Sequence, residues 1–76
     1  MSFEPSYQLL ESVRDDVMRV YEDGDCKPRR ATEFHARIPA LRNYSVAEVG
    51  EILRALDFSV IWVVNRKFYH KQRGDL

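Results

Sequence analysis

The chain has 76 residues, of which 45% are hydrophobic and 32% charged, and its formal net charge is zero. This composition is that of an ordinary soluble globular protein and excludes a disordered tail. No apolar run approaches the roughly 20 residues that a membrane-spanning helix needs. The N-terminus lacks a basic segment followed by an apolar stretch, so we expect no secretory signal, no membrane association and a cytoplasmic location.

Charge is distributed unevenly along the chain. Residues 1–26 carry seven acidic and two basic side chains, a balance of −5, whereas residues 27–76 carry ten basic and five acidic side chains, a balance of +5. A protein with opposed halves can present a basic face to an anionic partner while staying neutral as a whole. Solvated surface charge without any partner explains the same pattern, so charge alone leaves both interpretations open.

Side chains that could carry catalysis or bind a metal are few and scattered. Cys26 is the single cysteine, and the histidines His35 and His70 show no CxxC or HxxxH spacing. Catalysis would need a nucleophile, a base or a metal set brought together, and no spacing organises these residues. We therefore expect no enzyme activity, no metal site and no cofactor. Cys26 is interpreted as a reduced thiol and His35 as a half-exposed surface residue.

The first predicted element is a helix from Pro5 to Glu22. Its apolar residues recur at the spacing of one helical face, namely at Tyr7, Leu10, Val13, Val17, Val20 and Tyr21. Pro5 suits the first turn of a helix, and Asp23-Gly24 is a turn signal that ends it.

An extended link and a short second helix follow. Pro28 has no amide donor and restrains Lys27 towards extended geometry, so the segment CKPRR is predicted as a link or a very short strand. Thr32 is the predicted N-cap of a short helix across EFHARI. Pro39 ends this helix.

The stretch NYSVAEVGEILRALDF carries the clearest helix signal. Ser45 followed three residues later by Glu48 is a capping box, which predicts a helix from Val46 to Leu56. The buried stripe is predicted as Val46, Val49, Leu53 and Leu56, with Ile52 at its margin and Ala47, Glu48, Glu51, Arg54 and Ala55 facing outward. Gly50 costs about 1 kcal/mol of helix stability relative to alanine, so we expect another backbone to come close there.

The C-terminal region predicts a β-hairpin. SVIWVV is β-branched and aromatic, and Asn65-Arg66 suits a tight turn before KFYHKQ because asparagine tolerates a positive φ. Arg66 is not the usual glycine, which leaves a longer loop open. Two strands alone are marginal in water, so the hairpin must pack on the helices. We expect residues 60–62 to join the core and residues 72–76 to form a frayed tail.

The order helix, extended link, short helix, turn, capped helix and hairpin resembles the winged helix-turn-helix superfamily over residues 5–72. The stretch SVAEVGEILRALDFSVIWVVNRKFYHK is similar to the recognition helix, aromatic-ended exit and wing of phage and plasmid regulators and replication proteins. Where such domains commonly have glycine, this chain has Asp57, which tolerates the left-handed C-cap conformation better than most residues. The resemblance implies one α+β domain over residues 1–76, with three helices packed against a C-terminal hairpin.

The resemblance also implies binding to duplex DNA, with the third helix in a major groove and residues 65–67 on phosphate or a minor groove. The candidate nucleic-acid-binding residues are Arg42, Ser45, Ala47, Glu51, Arg54, Arg66, Lys67 and Lys71. The cations would contact phosphate, whereas Glu51 would repel phosphate or accept a hydrogen bond from cytosine N4. The expected function is that of a small transcriptional regulator or replication accessory.

A second hypothesis keeps the fold without DNA binding. A protein-interaction module, such as a phage-type inhibitor or adaptor, would dock on a larger protein, and fold alone does not decide function. The acidic first helix, Glu51 and the zero net charge favour this hypothesis. The chain is expected to be a monomer or a homodimer. Phe3, Met18 and Trp62 are the apolar residues considered for pairing, and we expect Trp62 to lie in the core instead.

Overall fold

The computed structural model describes residues 3–71, and the tail expected at residues 72–76 lies outside this range. The elements in chain order are α1 (Tyr7–Asp23), α2 (Ala31–Arg37), a 3₁₀ turn (Pro39–Leu41), α3 (Val46–Ala55), β1 (Phe58–Val63) and β2 (Arg66–Lys71). The chain is therefore an α+β protein in which three helices precede an antiparallel hairpin, as the sequence predicts. Within residues 3–71, no helix has the length and apolar character to cross a membrane.

The helix α1 begins two residues later than predicted. Ser6 is its N-cap, and the Ser6 hydroxyl accepts a hydrogen bond from the Leu9 amide at 3.1 Å, so Pro5 precedes the helix. Its buried residues are Val13, Val17, Val20 and Tyr21. Tyr7 is 73% exposed and does not belong to the apolar face, whereas the end of α1 at Asp23 confirms the turn signal there.

The helix α2 begins at Ala31, so the predicted N-cap at Thr32 is wrong. The N-cap position is Arg30, whose side chain makes no capping hydrogen bond. The cause lies one residue upstream, where Arg29 exchanges two backbone hydrogen bonds with Tyr69 of β2, at 2.9 and 2.6 Å. The predicted very short strand is thus a single bridge, and the chain enters α2 directly after it.

The helix α3 has the predicted cap but a different buried face. The Ser45 hydroxyl accepts from the Glu48 amide at 3.1 Å, and the Glu48 carboxylate accepts from the Ser45 amide at 2.9 Å, which confirms the capping box. Ile52 is fully buried rather than marginal. Val46 is 42% exposed rather than buried, because the first turn of α3 extends to the rim of a surface cleft.

A side chain, and not the predicted backbone, comes close to α3 at Gly50. A Cβ at this position would clash with the Tyr69 hydroxyl and would lie 3.2 Å from Tyr69 Cζ. Gly50 is buried, so glycine allows the helix and the hairpin to pack together here. At the other end of α3, Asp57 has a φ of 72°, as expected for a left-handed C-cap.

The hairpin turn lies one residue earlier than predicted. The register runs without interruption from Phe58–Lys71 to Val63–Arg66, which leaves Val64 and Asn65 as a two-residue turn. Their φ values of 50° and 64° are those of a type I′ turn, whose twist matches a hairpin. The register is fixed by the core-facing side chains of the strands, because a slip of one residue would move them to the outer face.

The core lies where the helices meet the inner face of the hairpin. Phe58 and Tyr69 are each 4% exposed, and the rings of Tyr21 and Phe34 pack edge-to-face on Phe58 at centroid distances of 5.2 and 5.9 Å. These ring contacts join β1 to α1 and α2.

The far half of the hairpin extends beyond this core. Val60 packs on the core margin and Ile61 is half-buried, but Trp62 is 66% exposed, so the prediction that it is a core residue is wrong. Exposure is high along the tip, since Val63 and Val64 are 49% and 86% exposed. Phe3 and Met18, by contrast, are partly buried and pack against the core.

Candidate nucleic-acid interface

Salt bridges divide the cations of the described residues into two groups. Four arginines are paired: Arg14 with Glu11, Arg19 with Asp16, Arg29 with Glu33 and Arg37 with Asp23. Three of these four carboxylates belong to α1, so the acidic first helix neutralises the cations around it. The cations that form no salt bridge within residues 3–71 are Lys27, Arg30, Arg42, Arg54, Arg66, Lys67 and Lys71.

Three of these unbridged cations line one cleft, which we call the α3–β2 cleft. It has a volume of about 280 Å³ and lies between the start of α2, the outer face of α3 and the strand β2. Its lining residues are Arg30, Ala31, Thr32, Val46, Ala47, Glu51, Arg54, Lys67 and Tyr69. The three elements each bring one cation, since Arg30 precedes α2, Arg54 lies on α3 and Lys67 lies on β2.

Helix and strand periodicity explain why these side chains meet. Glu51 and Arg54 are three residues apart on α3, which places them on one face of the helix. Lys67 and Tyr69 are two residues apart on β2 and share one face of the strand. The Arg29–Tyr69 bridge holds the neighbouring Arg30 beside the same part of β2.

The buried Tyr69 borders the cleft, and the charged side chains there shift its pKa. Burial raises the pKa of the Tyr69 hydroxyl above its ordinary value, Glu51 raises it further, and Arg54 acts in the opposite direction. The hydroxyl is therefore a neutral hydrogen-bonding group at physiological pH. Three cations and one carboxylate give the lining a formal charge of +2.

The hairpin adds an aromatic ring next to the cleft. Lys67 Nζ lies 5.6 Å from the centroid of the exposed Trp62 ring, within the range of a cation–π contact. Arg66 is exposed in the pair of residues that closes the turn. The hairpin therefore brings one cation, Lys67, and the indole ring of Trp62 to the edge of the α3–β2 cleft, whereas Arg66 lies on the opposite face of β2.

The structure brings half of the predicted site residues together in this cleft, namely Ala47, Glu51, Arg54 and Lys67. Arg66 lies farther along the hairpin. Arg42 donates from Nη2 to the Ala36 carbonyl at 3.1 Å, which ties it to the end of α2. The Ser45 hydroxyl is engaged in the capping box.

Lys71 lies away from the other candidates. Its Nζ donates to the Leu56 carbonyl at 2.7 Å and lies 5.4 Å from the Phe58 ring centroid. It lines a different hollow, against Met18 of α1. A lysine bonded to the last carbonyls of a helix stabilises that helix end, so the geometry assigns Lys71 to the C-terminus of α3 and not to the cleft.

The lining residues Arg30, Thr32 and Tyr69 are not predicted from the sequence. The basic cluster CKPRR is the one local signal that points to Arg30. Thr32 and Tyr69 carry no such signal, because only the packing of α2 and β2 around α3 brings them to the cleft.

The candidate catalytic and metal-binding residues form no organised set among the residues that the structure describes. No group of three or more potential metal ligands occurs in residues 3–71. His35 is half-buried, as expected, with Nε2 2.9 Å from the Tyr44 carbonyl. Cys26 is exposed and lines one hollow with His70. No hydrogen bond in the described range joins their side chains.

Comparison with known proteins gives no match to any family model, any curated protein or any solved structure.

Proposed function

We propose that the chain is a winged-helix domain that binds duplex DNA through the α3–β2 cleft, as a transcriptional regulator or a replication accessory. The observation that carries the proposal is the convergence of Arg30, Arg54 and Lys67, which come from three elements and form no salt bridge within residues 3–71. Cations without an internal partner that share one surface are what phosphate binding needs.

The arrangement of elements supports the winged-helix interpretation. The 3₁₀ turn joins α2 to α3, and the hairpin follows α3 and packs on it through the Gly50–Tyr69 contact. In helix-turn-helix proteins the second helix of the pair enters the major groove. In this chain α3 is that helix, and its outer face is the exposed wall of the cleft.

The outer face of α3 combines small, basic and acidic side chains. Ala47 and Ala55 are exposed and small enough for close approach to bases. Arg54 would contact phosphate or a guanine edge, and Glu51 would accept from cytosine N4. We propose that Glu51, which repels phosphate, restricts binding to an orientation that places a base edge opposite it.

Lys67 and Arg30 line the cleft beside α3 and would contact the DNA backbone next to the groove. Arg66 and Trp62 extend this contact along the hairpin, which acts as the wing. The face formed by α1 is unsuited to this role, because its arginines Arg14 and Arg19 are already paired with carboxylates.

Salt-dependent binding tests the proposal. Each phosphate contact contributes about −0.9 to the slope of log Kobs against log salt for duplex DNA, so three contacts give a slope of about −3. Arg54→Gln and Lys67→Met should each weaken binding and make the slope shallower by about 1. The readout is fluorescence anisotropy of a labelled duplex at several salt concentrations.

Arg19→Gln is the matched control, because it removes the same charge from an exposed arginine on α1. It should leave affinity and slope unchanged. The proposed interface would be refuted if no binding is seen at low salt. It would also be refuted if Arg19→Gln lowers the affinity as much as Arg54→Gln does.

A protein-interaction module is the second candidate function. The observation that favours it is the apolar hairpin tip, where Trp62, Val63 and Val64 are 66%, 49% and 86% exposed. Contiguous exposed apolar surface marks sites of protein contact. One stoichiometric protein partner in a pull-down, lost with Val63→Lys or Val64→Lys at the tip and accompanied by no DNA binding, would select this function.

A further inference from the structure

We infer that β1 is the contact strand of a homodimer, in which two copies pair their β1 strands antiparallel about a two-fold axis at Ile61. The inference does not depend on DNA binding. Within residues 3–71, the one sheet neighbour of β1 is β2, so no strand pairs with the other edge of β1, which we call the open edge. The far edge of β2 is covered instead, by the Arg29–Tyr69 bridge and by the Tyr21 hydroxyl, which accepts from the Lys71 amide at 3.1 Å.

The backbone groups of Val60 and Trp62 point out from the open edge. Along an antiparallel ladder two kinds of residue pair alternate. In one kind the two opposed residues exchange hydrogen bonds, and in the next their N–H and C=O groups point away from each other. Both the N–H and the C=O of Tyr69 are hydrogen-bonded to Arg29. Tyr69 therefore exchanges no backbone hydrogen bonds with Val60, the residue opposite it in the register. Val60 therefore points its own groups outward, and Trp62, two residues on, does the same.

The strand β1 carries none of the features that keep sheet edges apart. Natural edge strands are blunted by charged side chains, prolines or bulges. The sequence of β1, FSVIWV, has no charge and no proline, and its register with β2 is continuous. The basic side chains of the hairpin all belong to β2. Two β1 strands can therefore meet without like charges in opposition.

This edge is complementary to itself, which identifies the occupant as a second copy. With the axis at Ile61, the outward groups of Val60 meet the outward groups of Trp62 of the partner subunit, and the reverse pair forms by symmetry. The contact covers the indole of Trp62, which is 66% exposed in the single chain. An axis closer to Phe58 would place the strands against the helices, because Phe58 is packed between Tyr21 and Phe34.

Mass as a function of concentration tests the dimer. We expect light scattering after size exclusion to show the 9.0 kDa chain doubling in mass. The measurement should run from about 1 μM to about 1 mM, which spans moderate and weak affinities. Trp62→Lys places a charge on the open edge and should leave a monomer throughout. Tyr7→Lys is the matched control, since it replaces another exposed aromatic, on α1, and should leave the dimer intact.

Amide exchange tests the backbone pairing in the unmodified protein. The amides of Val60 and Trp62 should be protected at high concentration and exchange quickly at low concentration, whereas the Ile61 amide, which points to β2, should be protected at both. Val60→Pro removes one outward N–H without removing a β1–β2 hydrogen bond and should favour the monomer. The inference would be overturned if the protein is a monomer at every concentration or if the Trp62→Lys variant is a dimer. It would also be overturned if the exchange rate of the Val60 amide does not depend on concentration.

Discussion

The hydroxyl of Tyr69 lies directly over Gly50, so that β2 and α3 meet where the helix has no side chain. Tyr69 also lines the α3–β2 cleft, and its backbone bridges to Arg29. One residue thus connects α3, the hairpin and the segment before α2.

Gly50→Ala should destabilise the protein. Alanine gains about 1 kcal/mol of helix propensity over glycine. The new methyl group clashes with the Tyr69 hydroxyl, and overpacking of this kind typically costs about 1–3 kcal/mol. Thermal denaturation gives the change in the free energy of unfolding. In a Tyr69→Phe background the same substitution should cost less, because the clashing oxygen is gone. An equal cost in both backgrounds would show that the contact does not limit packing.

Stability should fall at high pH through Tyr69. Burial raises the pKa of its hydroxyl above 10.0, with Glu51 as the next cause. Because the folded pKa exceeds the unfolded one, this contribution is fully present below the unfolded pKa and is lost as pH rises through the folded value. Tyr69→Phe should flatten the decline in a series of denaturant melts. Glu51→Gln should lower the pKa of Tyr69 in an absorbance titration, and an unchanged curve would contradict this electrostatic coupling.

Val64→Asn should stabilise the hairpin. Val64 has a φ of 50°, and the left-handed conformation costs a residue with a Cβ roughly 1–2 kcal/mol, less for asparagine. A gain of about 1 kcal/mol would raise Tm by about 4–8 °C in a domain of this size. Val63→Asn is the control, because Val63 lies within β1, where asparagine is disfavoured, and it should lower Tm. A lower Tm for Val64→Asn would mean that the Val64 side chain makes a stabilising contact.

Ser45→Ala should cost about 1 kcal/mol of the free energy of unfolding, because the Glu48 amide loses its acceptor at the start of α3. Ser12→Ala is the matched control, since the Ser12 hydroxyl bonds to the Leu9 carbonyl inside α1 and alanine is the better helix former there. Chemical denaturation should show a loss for the first variant and little change for the second. Combining Ser45→Ala with Glu48→Ala should be non-additive, because the two residues form one capping unit.

Features set by neighbouring residues could be predicted from the sequence. The capping box of Ser45 and Glu48, the end of α2 before Pro39 and the left-handed Asp57 all depend on hydrogen bonds or dihedral angles within a few residues. The order of helices and strands follows from the same local signals. Half of the predicted interface residues also lie in the cleft, because helix periodicity places Ala47, Glu51 and Arg54 on the outer face of α3, and strand alternation places Lys67 on the face of β2 that Tyr69 shares.

Features that depend on contacts between distant segments were decided by the tertiary structure. The sequence predicts the turn at Asn65-Arg66, but the turn is formed by Val64 and Asn65. The observed register keeps Phe58 and Tyr69 on the core face. Trp62, which the sequence predicts as a core residue, is 66% exposed, two residues before the turn that begins at Val64.

The sequence by itself determined the local elements and the outward faces that carry charge. Only the tertiary structure decided which cations share a surface, because that depends on docking energies between segments far apart in the chain. Arg30 and Lys67 meet at one cleft through the Arg29–Tyr69 bridge, whereas packing turns Lys71 to the Leu56 carbonyl.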